Sequence, residues 1–415
     1  MSAISQETLK TLDIEAIRRE FPVLHQEING KPLAYFDNAA TTQKPNAVIK
    51  ALSGYYEGYN ANIHRGIHTL AEKATKAYEA TRVSLQAFLN AKESEEIIFT
   101  KGTTESINLV AATYGRKNVK QGDEIIVSGL EHHSNIVPWQ MLAEEKGATI
   151  KVIPVKENGE LDYDQYFSLL NSKTKIVAVN HASNSLGTIN PVKDIIKAAH
   201  DAGAIVLIDG AQASAHLAID VQELDCDFYA ISAHKFYGPT GTGALYGKRR
   251  LLEDMPPYQG GGEMIKDVSF EGTTYNDIPY KFEAGTPNIA DVVAFKAAIE
   301  FVNSTGKPAM AKYEAELLKY ATEAISSVKD IRLIGTSVNK VSVLSFVVEG
   351  IHHFDIGQML DARGVAVRTG HHCTQPLMDR FGIEGTVRAS FAVYNTKEEI
   401  NRMVEGLERI VKFMK

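Results

Sequence analysis

Short apolar segments that alternate with longer amphipathic ones are the feature that most limits how this chain can fold. From residue 33 onward, segments rich in Ile and Val are separated by patterns with helical spacing. This alternation is typical of a largely parallel sheet covered by helices, so the sequence predicts an α/β fold. The clearest predicted strands are residues 96–100, 124–128, 149–153, 175–179, 204–208 and 228–232.

A second, smaller unit is predicted after residue 290. Residues 341–348 and 387–393 have the composition of strands, and a last helix follows the capping-box pattern of Thr396 and Glu399. We therefore divide the chain into a helical arm at 1–20, a large domain at 21–290 and a small C-terminal domain at 291–415.

Composition excludes several classes of protein. Among 415 residues the formal net charge is −7, which argues against nucleic-acid and anionic-membrane partners. The first twenty residues carry no secretory apolar region, and no apolar run approaches membrane-spanning length. Two cysteines cannot form a disulfide framework, so we expect a cytoplasmic protein.

One lysine lies at a predicted strand end. Lys235 follows the strand 228–232 and is flanked by Ala233, Phe236 and Tyr237, before several glycines. Apolar neighbours can lower the pKa of a lysine enough to give a nucleophilic amine. A lysine on a glycine-rich surface loop, or a phosphate-binding loop, explains the same stretch equally well.

A carboxylate ends the neighbouring predicted strand. Asp209 follows strand 204–208, and Lys235 comes 26 residues later, the length of a helical crossover. A lysine that forms a Schiff base beside an aspartate that protonates the pyridine nitrogen suits pyridoxal phosphate. A helix N-cap is the alternative role for Asp209.

Polar side chains at other strand ends can bind an anion. Gly102, Thr103 and Thr104 open a helix directly after a strand, and helix N-termini bind phosphate. Ser232 and His234 can reach the same phosphate. His132 follows another strand and either stacks on a flat ring, moves protons or has only a structural role.

The two cysteines have different surroundings. Cys226 leads into a strand and is interpreted as a small buried residue. Cys373 lies in a polar turn with two histidines and Arg368, which can favour the thiolate, although a structural thiol fits as well. Arg368 and Arg388 can each bind a carboxylate bidentately.

The histidines do not suggest a metal enzyme. His64 and His68 lack the His-Glu-x-x-His or paired-cysteine patterns of metal sites, so no catalytic metal is predicted. The glycines at 241, 243 and 260–262 also do not form a dinucleotide-binding fingerprint.

Taken together, these motifs resemble those of fold-type I pyridoxal phosphate enzymes of the cysteine desulfurase group, specifically the SufS type, which includes selenocysteine lyases. The resemblance covers residues 21–415 and implies a mainly parallel seven-stranded sheet with a smaller α+β domain. It is carried by residues 62–68, 103–105, 131–139, 209–212, 232–235, 285–287 and 368–373.

The resemblance implies a role for each site residue. Lys235 carries the cofactor, Asp209 pairs with its ring nitrogen, Gln212 contacts its ring hydroxyl and His132 stacks on it. Asn184 lies beside cofactor and substrate, and Arg368 and Arg388 orient the substrate carboxylate. The phosphate is held by Thr103, Thr104, Ser232, His234 and, from a second subunit, Thr286.

The same resemblance implies a reaction and partners. A homodimer converts L-cysteine, or L-selenocysteine, to alanine, and Cys373 accepts the sulfur as a persulfide for iron-sulfur cluster assembly. A SufE-type or SufU-type protein then receives it. Phe354, where SufU-linked members tend to have histidine, favours a SufE-type partner or no obligate zinc partner. The alternatives are a selenocysteine lyase, an aminotransferase and a catalytically silent assembly scaffold.

Overall fold

The computed structural model describes residues 11–415 as one α/β structure. Its strands are β1 (Glu27–Ile28), β2 (Lys31–Pro32), β3 (Ala34–Tyr35), β4 (Ile97–Thr100), β5 (Glu124–Ser128), β6 (Thr149–Ile153), β7 (Thr174–Asn180), β8 (Ile205–Asp209), β9 (Phe228–Ser232), β10 (Gly243–Gly247), β11 (Ile265–Val268), β12 (Thr273–Tyr275), β13 (Ile331–Ile334), β14 (Val343–Val348), β15 (Val365–Ala366), β16 (Arg368–Gly370) and β17 (Thr386–Ser390).

The helices lie between these strands and at both ends of the described region. They are α1 (Ile14–Arg19), α2 (Asn46–Gly58), α3 (Thr69–Leu89), α4 (Thr103–Val110), α5 (Arg116–Asn118), α6 (Val137–Lys146), α7 (Tyr163–Leu169), α8 (Val192–Asp201), α9 (Ala213–His216), α10 (Val221–Leu224), α11 (Arg249–Asp254), α12 (Ile289–Thr305), α13 (Lys307–Ser326), α14 (His353–Asp361), α15 (Gln375–Phe381) and α16 (Lys397–Met414). Within residues 11–415, none of them is long and apolar enough to cross a membrane.

A seven-stranded sheet forms the centre of the fold, in the order β4-β10-β9-β8-β7-β5-β6. Neighbouring strands are parallel except at β10, which is antiparallel to both β4 and β9. Strands β8 and β9 are buried along their whole length, as expected for a sheet covered on both faces. The predicted fold class and the six predicted strands are confirmed.

A second sheet, β13-β14-β17-β16, is antiparallel and packs against α13 and α14, which α16 contacts in turn. The capping box that begins α16 is present, with Thr396 and Glu399 each bonded to the other's backbone N–H. The predicted strand at 387–393 is too long, because β17 ends at Ser390 and the next N–H, that of Phe391, bonds instead to the carbonyl oxygen of Ser342.

The N-terminal part of the chain joins this second sheet. Strand β3 pairs in parallel with β15, and Asp37 forms a bridge with Ser390. The predicted helix over residues 1–20 is wrong in its extent, because α1 begins only at Ile14, where Asp13 caps it; residues 1–10 of that prediction lie outside the described part.

The predicted domain boundary falls at the first turn of α12, which packs against α2 and α3 of the large unit. The division at residue 290 therefore stays a prediction. Residues 258–287 contain the exposed hairpin β11–β12.

Candidate active site

A cavity of about 180 Å³ opens where the carboxyl ends of the central strands meet the second sheet. This is where parallel α/β sheets bind ligands. Most of the predicted site residues line it. They are Thr103, Thr104, His132, Asn184, Asp209, Ser232, His234, Lys235, Arg368, Cys373 and Arg388.

Two predicted site residues lie elsewhere. Thr286 lines a neighbouring pocket together with Lys101 and Glu105. Gln212 is buried behind the cavity wall, one residue after the lining residue Ala211, and its Nε2 lies 3.2 Å from Nε2 of His216. The cavity of this chain alone therefore does not include either side chain.

Lys235 ends a short 3-10 segment, Ala233–Lys235, that follows β9. Burial lowers the pKa of its ammonium group, while the nearby Asp209 carboxylate opposes that shift. The preceding carbonyl, that of His234, accepts bonds from the backbone N–H of Thr42 at 3.1 Å and from Nζ of Lys44 at 2.8 Å. The lysine is thus held at the cavity wall in a setting that favours the neutral amine.

Asp209 is the last residue of β8 and is 5% exposed. Its Oδ1 accepts a bond from the backbone N–H of Ala211 at 2.9 Å. Burial raises the pKa of this carboxyl group, and Lys235 partly offsets the rise. The alternative of a helix N-cap is wrong, because the nearest helix, α9, has Gln212 at that position.

Hydrogen-bond donors gather at one end of the cavity. The backbone N–H of Thr103, at the start of α4, donates to Oγ of Ser232 at 2.9 Å, and the two hydroxyls are also 2.9 Å apart. Gly102 precedes the helix with φ +141°, and a Cβ there would lie 3.2 Å from Oγ of Ser232. A helix N-terminus with clustered hydroxyls suits a phosphate group.

Three histidines line the cavity, and the surroundings of His132 and His234 favour the neutral imidazole. Burial, reinforced by Lys235, lowers the pKa of His132 to about 3 and that of His234 to about 4. The backbone N–H of Ser134 donates to Nδ1 of His132 at 3.1 Å, so the single ring proton of His132 lies on Nε2. This side chain can donate one hydrogen bond or present its face to a planar ring.

Cys373 lies in a tight turn between β16 and α15. Both His372 and Cys373 have left-handed backbone conformations, with φ of 51° and 58°. Nδ2 of Asn184 donates to the carbonyl oxygen of His372 at 2.8 Å, which joins this turn to the large unit. Cys226, in contrast, is fully buried, as predicted, and burial raises the pKa of its thiol far above the usual range.

Sequence reasoning missed Asp37, which connects the two arginines. Nη2 of Arg388 lies 2.9 Å and Nη1 of Arg368 lies 3.8 Å from this carboxylate. Nη1 of Arg388 donates to the carbonyl oxygen of Asn184 at 2.9 Å, while its buried Nε has no hydrogen-bond partner among the described residues. The one available signal was the aspartate directly after the apolar residues 33–36.

Known proteins with similar sequences and structures belong to one family. The sequence matches the family described as Aminotransferase class-V over residues 34–403. It is 50% identical over 402 residues to a cysteine desulfurase of Pectobacterium carotovorum, an alignment that covers 97% of this chain and 98% of that protein. The crystal structure of the cysteine desulfurase CsdA (S-sulfonic acid) from Escherichia coli is 40% identical, with a TM-score of 0.91, and the match covers 97% of this chain and 100% of that one.

One relative is a longer protein. A cysteine desulfurase of Synechococcus elongatus is 54% identical over 398 residues, which is 96% of this chain but 64% of that protein. The chain therefore spans less than two thirds of that relative's length.

The arrangement of the cavity fits the cofactor of this family. Donors at the start of α4, a buried carboxylate and a lysine with a lowered pKa match the phosphate, ring nitrogen and aldehyde of pyridoxal phosphate. The chain therefore belongs to the class-V aminotransferase family, as a pyridoxal phosphate enzyme of the cysteine desulfurase kind.

Proposed function

We propose that this enzyme converts L-cysteine to L-alanine and transfers the sulfur to Cys373 as a persulfide. The observation that carries the proposal is that Cys373 and Lys235 line the same cavity, together with both arginines. A thiol, an amine and a carboxylate-binding group are the protein groups that this reaction needs.

We assign the cofactor contacts to residues of the cavity wall, to Gln212 behind it and to one residue of a second subunit. Asp209 would hold the ring nitrogen, His132 the ring face and Gln212 the ring hydroxyl, and bound pyridoxal phosphate supplies an electron sink. The phosphate would be held by Thr103, Thr104, Ser232 and His234, with Thr286 of a second subunit.

The substrate would be oriented by its carboxylate. Arg388 has a free Nε–H beside the cavity, and Arg368 adds a second, more exposed guanidinium. Two guanidinium groups at one carboxylate restrict the rotation of that carboxylate. Asn184 lines the same cavity beside the substrate position. The substrate sulfur is thereby directed towards the turn that carries Cys373.

Two residues would carry out the proton and sulfur transfers. Nζ of Lys235, whose pKa is lowered by burial, takes the proton from Cα of the substrate. Sγ of Cys373, as thiolate, attacks the substrate sulfur, and an S–S bond forms as the Cβ–S bond breaks. The electron pair of that bond stays on Cβ, which takes up the proton lost by the Cys373 thiol to become a methyl group. Lys235 returns its proton to Cα, and the product is L-alanine.

The persulfide then requires an acceptor. We propose a SufE-type protein, because Phe354, which is 53% exposed on α14, occupies the position of the histidine found in SufU-linked members.

We also propose a homodimer, which would cover the 95%-exposed Ile67 and bring Thr286 to the neighbouring site. A free thiol at Cys373 suits the cytoplasm, where the sulfur would supply iron-sulfur cluster assembly.

The test is a single-turnover reaction with L-cysteine, followed by alanine analysis and mass spectrometry of the protein. One added sulfur atom on Cys373 is expected, and Cys373→Ser should lose both the adduct and alanine formation. Cys226→Ser is the matched control, because that thiol is fully buried. Undiminished alanine formation by Cys373→Ser would overturn the persulfide step. If L-selenocysteine alone were still processed, selenocysteine lyase activity would replace it.

A further inference from the structure

A buried chain of polar side chains lies behind the cofactor cavity. Nδ1 of His216 lies 2.6 Å from Oε2 of Glu314, and Nε2 of His216 lies 3.2 Å from Nε2 of Gln212. His216 is 8%, Glu314 3% and Gln212 3% exposed. The chain begins at Gln212, three residues after the end of β8, and extends to α13.

The hydrogen bonding of Gln212 is incomplete in this arrangement. Its Nε2 faces His216, and its buried Oε1 has no partner within residues 11–415. An amide nitrogen can face Nε2 of His216 only if that ring nitrogen carries no proton. If Nε2 of His216 is protonated, it requires an acceptor. Rotation of the Gln212 amide by a half-turn exchanges its Oε1 and Nε2, so that Oε1 accepts from His216.

Glu314 brings a carboxylate into this buried chain. A buried carboxylate is costly unless a cation or several donors accompany it. His216 contacts Glu314 directly, whereas the hydroxyl of Tyr237 is 3.4 Å away. Nζ of Lys307 interacts with Glu314 only at longer range and lies over the ring of Phe88 instead.

The remaining neighbour of the imidazole is neutral. Oγ of Ser342 lies 3.5 Å from Nδ1 of His216 and donates its own proton to the carbonyl oxygen of Phe391. Glu314 is therefore the ionisable group that directly contacts His216 among the described residues. Loss of its charge should change the protonation of the imidazole.

We propose that Glu314 keeps His216 protonated, and that His216 then binds the amide oxygen of Gln212 and directs the amide NH₂ towards the ring hydroxyl of pyridoxal phosphate. His216 and Glu314 are thus positioning residues that act through Gln212. The inference rests on the proposed contact between Gln212 and the cofactor. It explains why a histidine-glutamate pair is buried behind a cavity that neither residue lines.

The test uses the cofactor-loaded enzyme and the pH midpoint of its visible absorption band. Glu314→Gln keeps the shape of the side chain but removes its charge. We expect the cofactor to be retained about ten-fold more weakly, because the hydrogen bond from the Gln212 amide to the ring oxygen of the cofactor is lost. The pH midpoint should also rise, because a ring oxygen without its donor is more basic. Glu314→Asp should restore both values in part.

A double-mutant cycle separates positioning from general packing. In a Gln212→Met background, Glu314→Gln should change neither value, because the amide that transmits the effect is absent. The control His200→Gln alters another histidine-carboxylate pair, with Asp227 directly before the amino end of β9, and should leave the midpoint unchanged.

The protonation state of His216 can be measured independently by ¹⁵N NMR of the loaded enzyme. An imidazolium signal that Glu314→Gln converts to a neutral one is expected. A neutral His216 in the wild type, or an unchanged midpoint in Glu314→Gln, would overturn the inference. Failure of the proposed function would look different, because the wild-type enzyme would then form no alanine or persulfide from L-cysteine while its visible band and the response to Glu314→Gln remained. Failure of the Gln212 contact alone would show as Gln212→Met leaving cofactor retention and the midpoint unchanged.

Discussion

The backbone N–H of His133 donates a hydrogen bond to the carbonyl oxygen of Cys373 across 2.8 Å. The ring of the same histidine accepts a bond at Nε2 from the backbone N–H of Gln375, at 3.1 Å. His133, in the loop after β5, therefore contacts both sides of the turn that carries the thiol. This double contact sets the position of Cys373 relative to the cofactor cavity, which His133 itself does not line.

Substitution of His133 should thus affect sulfur transfer without affecting cofactor binding. His133→Ala removes the ring acceptor but keeps the backbone bond, a loss of about 1 kcal/mol that corresponds to roughly a five-fold lower kcat. His133→Gln, which retains an acceptor, should recover part of the rate. Alanine formation and the visible band are measured in parallel, and a changed band in His133→Ala would contradict this interpretation.

The left-handed conformation of Cys373 should be measurable as a stability difference. With φ at 58°, a residue with a Cβ carries a backbone cost that glycine lacks. Cys373→Gly should therefore be more stable than Cys373→Ala by about 1 kcal/mol in urea unfolding.

The same pair of substitutions at Ser168 provides the control. Ser168 is exposed within α7, and alanine should be more stable than glycine there by about 1 kcal/mol. If the alanine variant were more stable than the glycine variant at position 373 as well as at 168, the backbone of Cys373 would not be left-handed in solution.

The sequence alone was sufficient to predict the strands and the residues that directly follow them, because both depend on local pattern. The strand before Lys235 and the one before Asp209 follow from apolar composition, and the shared edge of a parallel sheet brings both residues to one cavity. The contact between Asp37 and Arg388 could not be predicted in this way. Its partners are 351 positions apart, and the contact depends on the N-terminal strand β3 pairing with β15.

The buried chain from Gln212 through His216 to Glu314 could not be predicted for the same reason. His216 follows Gln212 by one helical turn, but Glu314 comes from α13, whose packing against α9 is a tertiary property. Sequence spacing fixes which residues follow a strand. It does not fix which distant side chain completes their hydrogen bonding.

The two arginines should differ in what their removal costs. Arg368 is 42% and Arg388 2% exposed. We expect Arg368→Ala to raise KM for L-cysteine about ten-fold, because one contact to the substrate carboxylate is lost. The free energy of unfolding should change by less than about 0.5 kcal/mol.

Arg388→Ala should raise KM and also destabilise the protein by about 3 kcal/mol, because it leaves Asp37 without its buried partner. Steady-state kinetics and urea unfolding of both variants test the difference. Equal stability losses would mean that Asp37 does not depend on Arg388.

The buried His181 should make stability depend on pH in a defined range. It is 8% exposed, Nδ1 lies 2.9 Å from the hydroxyl of Tyr229, and burial lowers its pKa to about 4 from 6.5. As pH falls below 6.5, the unfolded chain takes up the proton first, so this histidine contributes a loss of stability between pH 6.5 and about 4.

His181→Gln removes that contribution. Between pH 6.5 and 4, the free energy of unfolding should fall less steeply than in the wild type, by up to about 1.4 kcal/mol per pH unit for the one proton concerned. Above pH 7 the two curves should run parallel, because neither protein then binds this proton. Urea unfolding across the range measures both slopes, with His25→Gln as the control at an exposed histidine. Parallel curves down to pH 4 would contradict the prediction, because they would mean that His181 accepts its proton as readily in the folded protein as in the unfolded chain.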